Sequence, residues 1–250
     1  MGDGYNWQMR EGAAMSIWVT GDIHGSIDIK KLSHRRWPEG RMLTSEDQLI
    51  ICGDFGMPWD GSNEEKYWLG WLCDRPWTTL FVDGNHECFP YLADLPESER
   101  WGGKVQVYPD YPGIVHLMRG EVYDIDGIRI FAMGGAASHD KAWRTPGWDW
   151  FAEEMPRASE LGAAEDRLEA VDWRVDYVVS HCCSTRMLDA ALARTPYPDG
   201  RDMPDALNEW FDMLEDRLTY RRWYFGHYHA DAELDGRHRL LYRDIVELGR

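Results

Sequence analysis

The sequence has few cysteines and no pairing pattern among them. There are five, an odd number without any Cys-x-x-Cys spacing: Cys52, Cys73, Cys88, Cys182 and Cys183. Disulfide-stapled domains and zinc ribbons need even sets or paired spacings, so both classes are excluded. We therefore expect reduced thiols and a cytoplasmic protein.

Long apolar runs and basic runs are missing too. No run is long enough to cross a membrane, and no apolar core of a signal peptide is present, so we expect no membrane partner. Against 44 acidic residues stand 27 Lys and Arg, which gives a formal net charge of -17. Because an extended nucleic-acid groove normally needs a basic stripe, none is expected here.

What remains is sufficient for a folded core. Hydrophobic residues make up 44% of the chain and aromatic residues 13%, and no repeat or low-complexity tract is visible. Residues 1–14 are polar and lack a clear period, so we interpret them as a flexible N-terminal extension, with Met15 as the functional start. The remaining 15–250 are predicted to form a single domain.

Apolar patterning predicts strands alternating with helices. Strands are predicted at 16–20, 49–52, 79–82, 176–180 and 223–225, and helices at 64–73, 158–171, 184–193 and 204–218. Asp126-Gly127 between two alternating runs predicts a hairpin of 121–125 with 128–133. Residues 230–234 and 239–248 are expected to form closing strands around Asp235-Gly236. This alternation is typical of two sheets packed face to face with helices outside.

Polar motifs follow the predicted strands. Four of them are Gly21-Asp22-Ile23-His24-Gly25, Gly53-Asp54-Phe55-Gly56, Gly84-Asn85-His86-Glu87 and Gly226-His227-Tyr228-His229; His181 ends a fifth apolar run. Taken singly, each is best explained as turn or surface residues. Taken together, they place His, carboxylate and amide donors at strand ends, where distant segments converge. Such a mixed set suits Mn²⁺, Fe, Zn²⁺, Co²⁺ or Ni²⁺ more than Ca²⁺.

The order D-x-H, GD, GNH-[DE], H and GHxH resembles the calcineurin-like metallophosphoesterase superfamily. The resemblance runs from Asp22 to His229 and therefore covers nearly the whole chain. Five motifs in order, each after a predicted strand, are far more specific than any one alone. The resemblance implies an α/β fold, a four-layer α-β-β-α sandwich of two mixed sheets flanked by helices.

The resemblance also implies two divalent metal ions, with Mn²⁺ as our first expectation. The ligands of one ion would be Asp22, His24, Asp54 and His229; those of the other would be Asn85, His181, His227 and the bridging Asp54. A metal-bridging hydroxide would attack a phosphodiester or small phosphomonoester, and His86 would act as general acid. The expected partner is a small phosphorylated substrate.

The chain departs from the Ser/Thr phosphatases of this superfamily. Met57 stands where they carry the Asp that orients the catalytic histidine; Asp60 and Asp83 are the alternatives considered for that task. The Ser/Thr phosphatases also carry phosphate-binding arginines at two places where this chain has Asp83 and Met57-Pro58-Trp59 instead. A nuclease, a dinucleoside polyphosphate hydrolase and a catalytically silent metal-binding scaffold stay open as alternatives, although a scaffold would be expected to have lost His86 or several ligands.

The stretch 134–156 is expected to be a long ordered loop and is the candidate for substrate recognition. His139, Lys141 and Arg144 are predicted to meet a phosphate. Its tryptophans either stack on a planar group of the substrate or pack over the sandwich, and the sequence favours neither. His116 is interpreted as structural, and His34 and His238 as surface residues.

Overall fold

The computed structural model describes residues 15–196 and 203–249. The predicted extension, residues 1–14, lies outside the described residues. The division into this extension and one domain over 15–250 therefore stays a prediction.

Thirteen strands lie in the described part of the chain. In order they are β1 (Ile17–Thr20), β2 (Gln48–Cys52), β3 (Thr78–Val82), β4 (Glu97–Arg100), β5 (Gly103–Tyr108), β6 (Tyr111–Leu117), β7 (Glu121–Ile125), β8 (Ile128–Met133), β9 (Tyr177–Ser180), β10 (Arg222–Phe225), β11 (Ala232–Glu233), β12 (His238–Leu240) and β13 (Ile245–Glu247). They form a seven-stranded sheet, β13-β1-β2-β3-β6-β5-β4, and a six-stranded sheet, β11-β12-β10-β9-β8-β7.

Both sheets are mixed. In the first, β1, β2, β3 and β6 are parallel, while β13, β5 and β4 pair antiparallel at its edges. In the second, β12, β10, β9 and β8 are parallel, while β11 and β7 pair antiparallel. Each sheet thus has a parallel centre whose carboxyl ends share one edge.

Five α-helices accompany the sheets in the described ranges: α1 (Asn63–Cys73), α2 (Phe89–Asp94), α3 (Ala158–Ala170), α4 (Thr185–Leu192) and α5 (Ala206–Arg217). Side-chain caps fix two of the starts, since Ser62 accepts from the Glu65 N–H at α1 and Asp205 accepts from two N–H groups at α5. None of the described helices is long and apolar enough to cross a membrane.

Three hydrophobic layers separate the sheets and helices. Between the sheets, side chains such as Val19 and Leu80 of the first meet Ile130 and Val179 of the second. On the outer faces, α1 and α2 pack against the first sheet, and α3, α4 and α5 against the second. The predicted α-β-β-α sandwich is confirmed.

The hairpin of β7 and β8 is confirmed with the predicted bounds. The prediction of one closing strand over 239–248 is wrong. β12 pairs with β10 in the second sheet, whereas β13 pairs with β1 in the first. Residues 241–244 connect the two, and we call them the crossover segment. A run of strand-forming residues does not show where the chain leaves one sheet and enters the other, because strands of both sheets have the same apolar periodicity.

His238 is not a surface residue. It is 4% exposed and lies between the hydroxyl of Tyr220, 3.1 Å from its Nε2, and the carboxylate of Asp235, 2.9 Å from its Nδ1. Buried polar groups need such partners. His116 is buried in the same way, as its structural interpretation required.

Candidate metal centre

The predicted donors lie where the parallel strands of both sheets end. Asp22, Asp54 and Asn85 follow β1, β2 and β3 of the first sheet, while His181 follows β9 of the second, and the pair His227 and His229 follows β10. Ligand sites in α/β folds form at such carboxyl ends.

Glycines bring these loops close together. A Cβ at Gly84 would lie 2.1 Å from Oδ1 of Asp54, and one at Gly226 would lie 2.1 Å from Oδ1 of Asp22. Only a residue without a side chain lets the backbone pass this near a buried carboxylate.

One group of donors contains Asp22, His24, Asp54 and His229. One ligand atom from each lies within 4.8 Å of the others. The Nε2 atom of His24 is 3.1 Å from Oδ2 of Asp54, and Nε2 of His229 is 3.3 Å from Oδ2 of Asp22. That Asp22 oxygen is buried and has no hydrogen-bond partner. A buried carboxylate oxygen that faces the ring nitrogen of His229 fits a cation ligand.

The other group contains Asn85, His181, His227 and the same Asp54. Nε2 of His181 lies 3.1 Å from Oδ1 of Asn85 and 3.2 Å from Oδ1 of Asp54. Nδ1 of His181 is 2.7 Å from the carbonyl of Cys52 and is placed to donate to it, which leaves Nε2 directed at the site. The His227 ring lies 4.9 Å from the His181 ring. Asp54 thus presents Oδ2 to the first group and Oδ1 to the second.

The backbone at the centre contains several residues in the left-handed conformation. His24, Asp54, His227 and His229 all have positive φ, between 43° and 69°. Non-glycine residues adopt this left-handed conformation rarely and at an energetic cost, which functional sites tend to carry. Ile23 and Tyr228, which lie between the paired donors, are buried in hydrophobic cores.

The centre is electrostatically suited to cations. Burial raises the pKa of Asp54, but the neighbouring His181 and His86 outweigh it and hold that pKa well below its usual range. Burial lowers the pKa of His24, yet hydrogen bonds to Asp28 and Asp54 raise it to about 10. In the same way Asp54 raises the pKa of His181 to about 9. A site that draws positive charge onto buried imidazoles has the field that a divalent ion needs.

Two supporting carboxylates were missed by the sequence analysis. Glu154 is 1% exposed and accepts from the N–H and hydroxyl of Ser138, whose hydroxyl accepts from the side-chain amide of Asn85 at 3.1 Å. This series of hydrogen bonds orients the side chain of Asn85 so that its Oδ1 points at the site. Glu154 lies outside every motif but within the stretch 134–156, so the sequence indicated its segment and not its role.

Glu87 is the other supporting carboxylate. It accepts from the N–H groups of Phe55 at 2.7 Å, Gly56 at 2.9 Å and Gly84 at 3.2 Å. The loops after β2 and β3 are thereby held together. Its place in the GNH-[DE] motif was the available signal, although no role was attached to it.

Next to the centre, His86 contacts the long loop. Its ring is 5.6 Å from that of His24, and its Nε2 is 3.4 Å from Nη2 of Arg144. Arg144 is held by Oδ1 of Asp140 at 2.6 Å and the carbonyl of Asp149 at 3.1 Å. Of the three residues predicted to meet a phosphate, Arg144 is half-buried beside His86, while His139 and Lys141 are exposed.

Asp83 and Asp60 have other partners than His86. The Asp83 carboxylate binds the guanidinium of Arg119 and lies 3.2 Å from Nε2 of His116. Burial raises the pKa of Asp83, but the charge of Arg119 and the hydrogen bond with His116 outweigh it and lower that pKa. Asp60 is exposed and accepts from the Ser62 N–H. Neither Asp60 nor Asp83 therefore corresponds to the Asp that orients the catalytic histidine in the Ser/Thr phosphatases.

The fold agrees with the comparison to known families. A sequence profile described as calcineurin-like phosphoesterase matches residues 15–231. The chain therefore belongs to this family of metal-dependent hydrolases, which act on phosphoester bonds.

Curated relatives in this family are lariat debranching enzymes. That of Drosophila pseudoobscura pseudoobscura is 30% identical over 136 residues, 48% of this chain and 23% of the relative. Lariat debranching enzyme A of Xenopus laevis is 29% identical over 141 residues, 50% of this chain and 24% of the relative. The lariat debranching enzyme of Drosophila melanogaster is 28% identical over 195 residues, which are 67% of this chain and 33% of the relative. The chain thus spans 33% or less of the length of these relatives.

Proposed function

We propose that this chain hydrolyses phosphodiesters at a dinuclear metal centre. The observation that carries the proposal is the division of the Asp54 carboxylate, whose Oδ2 faces His24 while its Oδ1 faces His181. Two-metal phosphoesterases need two adjacent cations, and a bridging carboxylate is the residue that holds them together.

Asp22, His24, Asp54 and His229 would hold one ion, and Asp54, Asn85, His181 and His227 the other. When bound, two such ions polarise the phosphate and activate water for in-line attack. The donor set fits Mn²⁺, our first choice, as well as Fe, Zn²⁺, Co²⁺ and Ni²⁺. The silent-scaffold alternative is disfavoured, because the chain retains His86 and all seven residues expected to act as donors.

His86 and Arg144 would act on the substrate itself. The guanidinium of Arg144 offers N–H donors to a phosphate oxygen beside the centre. Burial is the main cause that lowers the pKa of His86, and the Arg144 charge adds to it while Asp54 opposes it. The proposed task of His86 as general acid, protonating a leaving alkoxide, rests on the position of its ring beside the centre, because a lowered pKa reduces the protonated fraction of the ring at neutral pH.

The test compares two chromogenic substrates on metal-stripped protein, with and without added Mn²⁺. We expect Mn²⁺-dependent cleavage of bis-p-nitrophenyl phosphate that exceeds cleavage of p-nitrophenyl phosphate. The Asp54→Asn variant, which retains the shape of the side chain, should lose this activity and bind fewer than two ions. Cleavage of the monoester alone would replace the proposal by a phosphatase, and full activity of Asp54→Asn would refute the site.

A lariat-type branched diester is the second candidate substrate. It is favoured by the lariat debranching enzymes among the relatives. The net charge of -17 opposes long polyanions, so a short branched oligonucleotide is the suitable probe. Cleavage of the branch in preference to linear diesters would support this candidate, and equal cleavage of both would reject it.

A further inference from the structure

The crossover segment, residues 241–244, packs directly on the loop that carries Asp22. A Cβ at Gly21 would lie 2.0 Å from the carbonyl oxygen of Leu241. The buried Nζ of Lys31 donates to the carbonyls of Gly21 at 2.8 Å and Asp22 at 2.9 Å, and also to that of Tyr242. The segment is therefore fixed relative to the first donor group.

Tyr242 of this segment contacts one histidine of that group and is linked to the other through Asp28. Its ring stacks on the ring of His229, with centroids 4.8 Å apart and planes at 18°. Its hydroxyl is 3.0 Å from Oδ2 of Asp28 and donates to it. The same Asp28 oxygen lies 3.3 Å from Nδ1 of His24. One side chain thus reaches His229 by its ring and His24 through Asp28.

We propose that Tyr242 and Asp28 are positioning residues for the candidate metal centre, an inference that rests on the proposed function. Asp28 accepts the proton of His24 Nδ1, so that Nε2 of His24 faces Asp54. Tyr242 holds Asp28 through its hydroxyl and restricts rotation of the His229 ring by stacking. Partners of this kind fix the ring orientation of metal-binding histidines, and their loss typically costs about 10–100-fold in metal affinity or activity.

Tyr242 lies outside residues 15–231, which the family profile matches. None of the sequence motifs contains it, and the sequence analysis placed it within a closing strand. Its position follows from the change of sheet between β12 and β13, which carries residues 241–244 across the edge where β1 ends.

The first test is calorimetric titration of metal-stripped protein with Mn²⁺. Tyr242→Phe keeps the stacking ring and loses the hydroxyl, so we expect roughly 10-fold weaker binding. Tyr242→Leu loses both and should weaken binding by about 10–100-fold. Tyr220→Phe is the matched control, because it removes a buried tyrosine hydroxyl bonded to His238, away from the centre. Unchanged affinity in both Tyr242 variants would overturn the inference.

The second readout is the His24 ring itself. In protein loaded with diamagnetic Zn²⁺, NMR should show a slowly exchanging proton on Nδ1 of His24. Asp28→Ala should expose this proton to exchange, because its acceptor is lost. An Nδ1 proton equally protected in Asp28→Ala would overturn the role of Asp28.

These measurements separate the inference from the proposed function. If the variants show the predicted order of affinity but the wild type cleaves no diester, the positioning role stands and the proposed function fails. If the wild type binds no Mn²⁺, both fail. Circular dichroism in EDTA checks folding, and Tyr242→Phe carries the test alone if Tyr242→Leu is unfolded.

Discussion

At the scale of residues, two side chains of the centre each use one polar atom for a hydrogen bond to a supporting group and direct the other polar atom at the site. Nδ1 of His181 is engaged by the Cys52 carbonyl, and the amide nitrogen of Asn85 by Ser138. In both, the remaining donor atom is directed at Asp54 or its neighbours. The motifs identified these residues from their order alone, whereas their orientation depends on partners up to 129 positions away.

His86→Ala is expected to have an effect that depends on the leaving group. For a dinucleotide, whose alkoxide leaves poorly without a proton, the rate constant kcat should fall by about 10²–10⁴-fold, the usual contribution of general acid catalysis. For bis-p-nitrophenyl phosphate, whose nitrophenolate leaves without protonation, the loss should be much smaller. Steady-state kinetics on the two substrates measure the difference.

The control for this variant is His34→Ala, a half-buried histidine outside the donor set. Equal losses on both substrates would show that His86 orients the phosphate rather than protonating the leaving group.

Arg144→Ala should raise KM for the diester by roughly 10–100-fold, since a hydrogen bond to a charged group contributes about 1.5–3 kcal/mol. Arg144 is the loop cation beside His86. Lys141→Ala, which removes an exposed cation three residues away, is the control for the change in charge. Initial-rate measurements over a range of substrate concentrations decide the matter, and an unchanged KM in Arg144→Ala would remove the role.

At the scale of elements, the start of β1 is tied to β2 by a buried carboxylate remote from the donor set. Asp47 accepts from the N–H and hydroxyl of Ser16, at 2.7 and 2.6 Å, and from the N–H of Thr44 at 2.7 Å. Burial raises the pKa of Asp47, but the hydrogen bonds from Ser16 and Thr44 outweigh it and hold that pKa below the usual 3.8.

Asp47→Asn should lower the free energy of unfolding by about 1–3 kcal/mol at pH 7, because an amide meets donors that need an acceptor. A depressed pKa stabilises the folded state fully above the unfolded value of 3.8, and this stabilisation is lost as pH falls through the folded value. Urea unfolding should therefore show a difference in the free energy of unfolding between variant and wild type that is smaller at pH 3 than at pH 7. Glu46→Gln, an exposed neighbour, should show no gap at pH 7; a gap for Asp47→Asn that is constant with pH would contradict the argument.

Elements with a local signal were predicted well. The Asp126-Gly127 turn specified the hairpin of β7 and β8, because its φ values of 54° and 79° are those that Asp and Gly tolerate. The change of sheet after β12 has no such signal. Its position is set by which neighbouring strand has free backbone groups, a property of the assembled sheets.

At the scale of the whole molecule, the excess of acidic residues should govern how polyanions approach. We expect kcat/KM for a short single-stranded oligonucleotide to rise with salt concentration, because screening weakens repulsion by the net charge of -17. A protein with a basic groove behaves oppositely and loses about 10³–10⁵ in affinity between about 50 and 200 mM salt for 6–10 phosphate contacts. Bis-p-nitrophenyl phosphate, with a single charge, is the control and should respond weakly. A fall in kcat/KM for the oligonucleotide would indicate an unrecognised basic surface.

The sequence by itself determined the order and the chemistry of the motifs. It showed that the candidate donors follow predicted strands and that a histidine stands next to Asn85, and the resemblance carried by these motifs indicated the class of enzyme. These are local properties, because a strand end and its polar residues are adjacent in the chain. Only the tertiary structure decided that Asp54 divides its oxygens between two donor groups, that Glu154 supports Asn85 through Ser138, and that Tyr242 contacts His229 and Asp28. Each of these contacts joins distant segments, whose approach depends on how the two sheets pack and not on any local pattern.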